Sequence, residues 1–173
     1  MSPIRLVPVF DKQIFIKDIQ KAFQDSYESV YGTCDKIILP TMDAEESLQK
    51  NGSESYFAIE HNEIVGGVTV VINSNSNVNH LELLYVKSGC QSKGVGLKIW
   101  QTIELIYPQT KIWETYTPYF DKRNIHFYVN KCGFHIVEFF NPKHKDPNVK
   151  DGMVGGMDKE VGQYFFRFEK IVG

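Results

Sequence analysis

The glycine-rich stretch Gln91-Ser-Lys-Gly-Val-Gly-Leu97 lies between two runs of different character. Before it stands Leu81-Glu-Leu-Leu-Tyr-Val86, which reads as a strand, and after it Leu97-Lys-Ile-Trp-Gln-Thr-Ile-Glu-Leu-Ile-Tyr107, which reads as a helix. A strand, a glycine turn and a helix N-terminus together make an anion site. Glycine lets backbone N–H groups converge, and the helix dipole adds partial positive charge. The chemistry this offers is the cradling of a pyrophosphate. It is not a P-loop, because no GxxxxGK[ST] string occurs, and not a dinucleotide fingerprint, because Ile99 stands where the third glycine belongs. The five histidines show neither HExxH spacing nor pairing with cysteine, so no metal site is expected.

The elements that must position this loop follow from hydrophobic spacing. Ile4–Val9 reads as a short strand, with Pro8 favouring an edge. Apolar residues recur at helical spacing from Phe15 to Val30, with Asp11 as N-cap and Gly32 as the stop. Asp43–Lys50 reads as a shorter helix, closed by Asn51-Gly52. Tyr56–Glu60 and Ile64–Ile72 flank His61-Asn-Glu63 as a hairpin, and Asn73–Asn79 is a polar connector. After the loop and its helix, Lys111–Thr117 reads as a strand and Asn124–Lys131 as a helix. His135–Phe140 and Gln163–Glu169 read as terminal strands around a long segment, 141–162, of the kind that forms a binding loop. The order is that of an α/β domain with a mixed sheet, one domain over residues 1–173.

Composition narrows the function. Hydrophobic residues make up 42% and aromatics 13%, enough for a real core. A formal charge of −2 argues against nucleic-acid or anionic-membrane partners, yet leaves room for a cationic amine. No apolar run reaches membrane-span length, and Cys34, Cys90 and Cys132 read as reduced thiols, so a cytoplasmic protein is expected.

The spelling Gln91-x-x-Gly94-x-Gly96 fits [QR]xxGx[GA], and Leu84-Tyr-Val86 precedes it. Phe127-Tyr128 with Gly133-Phe134 fits FYxxxGF with one residue too many. In these motifs the chain resembles the GCN5-related N-acetyltransferases (GNAT). The resemblance implies a GNAT-like mixed, mostly antiparallel sheet of about six or seven strands flanked by about four helices. It implies acetyl-CoA as the donor. The backbone of Gln91, Ser92, Lys93, Gly94, Val95, Gly96 and Leu97 would hold the pyrophosphate, with charge from Lys93 and Lys98. In the family the fourth and fifth strands splay, so Leu84, Tyr85 and Val86 would lie along the pantetheine, and Asn124 or Asp121 would meet its end. A backbone N–H near Val86 would polarise the thioester carbonyl. Tyr128 would protonate the departing thiolate, although one extra residue turns a helical side chain by about 100° unless the helix-ending turn absorbs it.

An amine with a pKa near 10.4 is protonated at neutral pH, so transfer to it benefits from a general base. Glu82 interrupts an apolar run four residues before Val86, where some GNAT members carry a catalytic glutamate, and is the first candidate. His80 lies on the same face one pleat repeat earlier and is the second. The acceptor is expected to be a primary amine on a small molecule or a protein. Its selection would fall to 31–40 and 141–162, with Tyr31, Tyr116 and Tyr119 lining the cleft and Asp43, Glu45 and Glu46 attracting the cation. A non-catalytic acyl-CoA-binding regulatory module is the alternative. The aromatic terminal strands allow for a homodimer.

Overall fold

The computed structural model describes residues 3–148 and 163–173. In chain order the elements are β1 (Arg5–Pro8), α1 (Lys12–Tyr31), α2 (Thr41–Gln49), β2 (Ser53–Glu60), β3 (Glu63–Val71) and β4 (Val78–Val86). There follow α3 (Val95–Ile106), β5 (Ile112–Pro118), α4 (Lys122–His126) with a π-helical turn over Phe127–Lys131, β6 (His135–Phe140) and β7 (Phe165–Ile171). The seven strands form one sheet in the order β1-β2-β3-β4-β5-β7-β6. Among the described residues only β4 and β5 run parallel; every other neighbouring pair is antiparallel. Seven mixed strands and four helices among the described residues make up the sheet-and-helix architecture that the resemblance implies.

Local chemistry sets most of the boundaries. The Asp11 carboxylate accepts from the Gln13 and Ile14 N–H groups at 3.0 and 3.2 Å, which starts α1. Gly32 ends it, its N–H donating to Glu28 O at 2.8 Å. His61 and Asn62 both take positive φ, the geometry of a two-residue turn that matches strand twist, and close the β2–β3 hairpin. Several boundaries differ from the sequence reading: β2 begins at Ser53, not Tyr56, and α2 at Thr41, not Asp43. β4 begins at Val78, not Leu81, because the buried Asn79 is satisfied within the strand: its Nδ2 donates to Thr110 Oγ1 at 2.7 Å and its Oδ1 accepts from Asn73 N–H. α3 begins at Val95, not Leu97, because Gly94 already acts as its N-cap. β7 is displaced two residues towards the C-terminus, to Phe165–Ile171.

Each face of the sheet carries its own core. On one, Phe15, Ile16 and Ile19 of α1 pack with Leu39, Ala44, Phe57, Leu83 and Tyr85. On the other, Ile99, Trp100 and Ile103 of α3 pack against Val68, Val70, Leu81, Trp113, Phe134 and Phe168. Trp100 meets Trp113 edge-on at 5.1 Å and is fully buried, so Trp100→Ala would cost about 3–5 kcal/mol. These two cores clamp β4 between them. That matters because β4 carries both the strand edge and the side chains of the site.

Candidate active site

The pairing of β4 with β5 stops part-way. Their register runs from Val78 opposite Ile112 to Leu81 opposite Thr115 and no further. At that apex Thr115 Oγ1 donates to Leu81 O at 2.9 Å. On the other side of β4 the register with β3 slips there too: Val70 lies opposite Leu81, but Thr69 opposite Leu83. Glu82 is therefore the inserted residue of a β-bulge, a feature that bends a strand and re-aims its side chains. Beyond the bulge the N–H of Lys87 donates to Val65 O at 2.8 Å. By the alternation of an antiparallel ladder, Leu83 and Tyr85 also face β3, while Leu84 and Val86 turn their N–H and C=O groups into the gap. Tyr85 does not line it, which corrects the sequence reading. Its ring lies edge-on to Phe15 at 5.3 Å, its hydroxyl donates to Asp18, and it is only 2% exposed.

The loop beyond the gap is shaped by its backbone. Gly94 sits at φ 76°, in the left-handed region, and no side chain caps α3. The first bond into the helix is Lys98 N–H to Gly94 O, so the N–H groups of Val95, Gly96 and Leu97 lack helical acceptors. Gly96 is needed for a different reason: a Cβ there would lie 3.2 Å from Phe127 Cζ and 3.4 Å from Val86 Cγ2. Over the loop lies Arg123, whose Nη1 donates to Gln91 Oε1 at 3.2 Å and Nη2 to Ser92 Oγ at 3.3 Å. Of the two lysines, Lys98 is engaged with Glu60 at 3.5 Å, whereas Lys93 is exposed.

The extra residue before Gly133 is taken up by the π-helical turn. Cys132 N–H reaches back five residues to Phe127 O at 3.0 Å, and Phe134 N–H bonds to Tyr128 O at 2.9 Å. Tyr128 thus keeps an inward orientation. Its ring packs on Phe127, Phe134 and Phe168, and it is 4% exposed. Burial, with Cys132 and Asp121 adding to it, pushes its phenol well above its ordinary value; a hydroxyl contact with Thr115, at the apex of the gap, works the other way. The group is protonated at neutral pH.

Glu82 is held from the α2 side. Its Oε1 accepts from Ser47 Oγ at 3.0 Å and from Lys50 Nζ at 2.6 Å, while its Oε2 faces His80 Nε2 at 3.4 Å. The Glu82 side chain is 10% exposed. Burial lowers the His80 pKa, assisted by Lys50 and opposed by Glu82, so its imidazole is neutral at pH 7.

The model of the Acetyltransferase (GNAT) family matches residues 16–134 of this chain. The chain belongs to the GNAT family. It is 42% identical over 171 residues to the uncharacterized protein YrkN of Bacillus subtilis, a match covering 98% of this chain and 92% of that one. Among solved structures it superposes on a Bacillus subtilis acetyltransferase in complex with CoA, with TM-score 0.65, 17% identity and full coverage of both chains. It also superposes on a GNAT family acetyltransferase of Elizabethkingia anophelis with acetyl-CoA bound, with TM-score 0.66 and 16% identity, covering 99% of this chain and 100% of that one.

In this GNAT chain the fold brings Glu82 with His80 beside it, Leu84, Val86 and, through Thr115, Tyr128 to the gap where β4 leaves β5. It does not do so for every residue. Asp121, not Asn124, caps α4, accepting from the Asn124 N–H at 3.0 Å and from Ser26 Oγ at 2.9 Å. Tyr31 packs with Tyr27 and Phe120, and Tyr119 with Phe139 and Phe166. Tyr116 alone of the three tyrosines approaches the candidate base, its ring 5.3 Å from that of His80; burial lifts its pKa to about 12. Residues 149–162 of the expected binding loop lie outside the described residues. Sequence reasoning missed Lys50, Ser47, Arg123 and Arg167. The register places His80, Glu114 and Glu169 in one row across the sheet, with Tyr116, Arg167 and Glu138 in the next. Arg167 bonds Glu138 at 3.0 Å and Glu169 at 2.6 Å and lies 3.6 Å from Glu114. Among these rows carboxylates outnumber cations, and burial raises the pKa of Glu114.

Proposed function

We propose that this protein transfers the acetyl group of acetyl-CoA to a primary amine by direct attack in a ternary complex. The observation that carries the reading is a half-buried carboxylate, Glu82, at the bulge where β4 leaves β5. That carboxylate stands beside a strand edge and a helix N-terminus whose N–H groups lack partners among the described residues. Acetyl-CoA supplies the activated acyl group as a thioester. The N–H groups of Val95, Gly96 and Leu97, with those of the Gln91–Gly94 turn, bind the pyrophosphate, and Arg123 adds a cation over it. Leu84 and Val86 pair with the pantetheine as one strand edge pairs with another, and Asn124 meets its end. The N–H of Val86 stabilises negative charge on the carbonyl oxygen. Glu82 takes a proton from the acceptor ammonium through Oε2, the oxygen not engaged by Ser47 and Lys50, and neutral His80 orients that ammonium or a bridging water. Tyr128 gives a proton to the leaving sulfur. The excess of carboxylates around Arg167 favours a cationic acceptor. Release of thiol from acetyl-CoA, followed over a panel of monoamines, polyamines and lysine peptides, tests this. Glu82→Gln should lower kcat/KM by about 10²–10⁴ with unchanged acetyl-CoA affinity. The ion pair that occupies Glu82 favours a second reading, a module that binds acyl-CoA without turnover. Binding with no thiol release from any amine would establish it instead.

A further inference from the structure

Lys50 places a primary ammonium on the carboxylate proposed as base. It sits at the C-terminal boundary of α2, where Ser53 N–H bonds its carbonyl at 2.9 Å and Gly52 turns the chain at φ 83° into β2. That turn directs its side chain across to β4, where Nζ lies 2.6 Å from Glu82 Oε1. Lys21, Lys98 and Lys170 pair elsewhere, on Asp25, Glu60 and Glu104. We infer that Lys50 is a self-acetylation site, its ε-amine accepting an acetyl group from acetyl-CoA bound to the same chain. This rests on the reading of Glu82 as base. A base must come within about 2.6–3.2 Å of the nitrogen it deprotonates, and Lys50 Nζ meets that condition. The nitrogen must then approach the thioester carbon, placed beside Leu84 and Val86. At about 3.3 Å per residue Leu84 is roughly 7 Å further along the strand. The Lys50 side chain is 47% exposed, so its flexible four-carbon stem is free to swing along β4.

The step balances without any further reagent. The ammonium of Lys50 loses one proton to Glu82, which passes it to water. The freed lone pair attacks the carbonyl carbon, the N–C bond forms, and the C–S bond breaks with its electron pair going to sulfur. The second proton lost by nitrogen is matched by the one that sulfur takes up from Tyr128, which is reprotonated from solvent. The products are Nε-acetyl-Lys50 and coenzyme A, with one proton released. Because the acetylated side chain is neutral, the ion pair to Glu82 is lost and the carboxylate is opened to other amines.

The test uses the full chain, purified without acetyl-CoA and then incubated with it, with each lysine followed by peptide mass spectrometry. Lys50 should acquire one acetyl group at least about tenfold faster than the exposed Lys21, which reports uncatalysed acetylation. The labelled fraction should grow at a rate independent of protein concentration, and Glu82→Gln should remove the advantage of Lys50 over Lys21. Labelling of Lys50 no faster than Lys21, in protein that acetylates a free amine, overturns the inference and leaves the proposed function standing. So does a rate that rises with protein concentration, which would make Lys50 the substrate of a second copy. Neither self-labelling nor transfer, in protein shown calorimetrically to bind acetyl-CoA, overturns both.

Discussion

In the proposed function the donor half of the site is made of backbone and the acceptor half of side chains. The cradle from Gln91 to Leu97 is one continuous segment, and its working groups are N–H bonds aimed by a left-handed glycine and a helix terminus. The acceptor half draws Glu82 and His80 from β4, Ser47 and Lys50 from the region of α2, and Tyr116 from β5. The difference predicts how each half fails. Side-chain truncation should leave the cradle largely intact and disable the acceptor half, whereas a change at Gly94 should do the reverse.

Substitutions can break this division in order of effect. Glu82→Gln, with its loss of about 10²–10⁴ in kcat/KM and unchanged acetyl-CoA affinity, is the largest. If the affinity fell in parallel, Glu82 would belong to the donor half. Tyr128→Phe keeps the ring against Phe134 and Phe168 and removes only the hydroxyl, so kcat should drop by about 10–100-fold with little change in Tm. An unaltered kcat would make Tyr128 a core residue and nothing more. Arg123→Gln should weaken acetyl-CoA binding about fivefold at low salt and less at high salt, since the guanidinium is exposed. A changed kcat with unchanged binding would remove Arg123 from the cradle. The smallest effect concerns His80. Its folded-state pKa is lowered by burial, so below about pH 6.5 the unfolded chain binds a proton that the folded chain refuses. Stability from this residue is therefore full above that pH and declines as pH falls towards the lowered folded value. Thermal unfolding from pH 8 to 5 should show a smaller loss in His80→Asn than in the parent; an equal loss would mean that His80 is not held neutral.

The same division explains what was legible in the sequence. The loop proposed as the cradle stood out because it carries glycine at two fixed positions within seven residues, each with a separate reason: φ at Gly94 and the approach of Phe127 at Gly96. The helix and strand order could be read because apolar spacing in α1 and α3 matches one buried face each, while β3, buried continuously over Val65–Val70, is a near-unbroken apolar run. Lys50 and Arg123 could not, because nothing local distinguishes them from solvated lysines and arginines; the roles proposed for them rest on contacts 32 residues away in sequence. Tyr85 was misplaced by adjacency: on a strand, neighbours of a gap-facing residue point elsewhere, and its ring serves the α1 core. Tyr128 raised the opposite problem. The spacing flaw was visible, and the π-helical turn that absorbs it depends on packing around Phe134.

Calorimetric titration of acetyl-CoA into the parent protein and into Gly94→Glu tests the central claim most directly. Gly94 lies at φ 76° with open space where a Cβ would be, so glutamate brings backbone strain and negative charge to the cradle without a clash in the core. The expected result is saturable one-to-one binding by the parent and a loss of at least about 100-fold in the folded variant. Equal affinity in the two proteins would contradict the assignment of this loop as the pyrophosphate site.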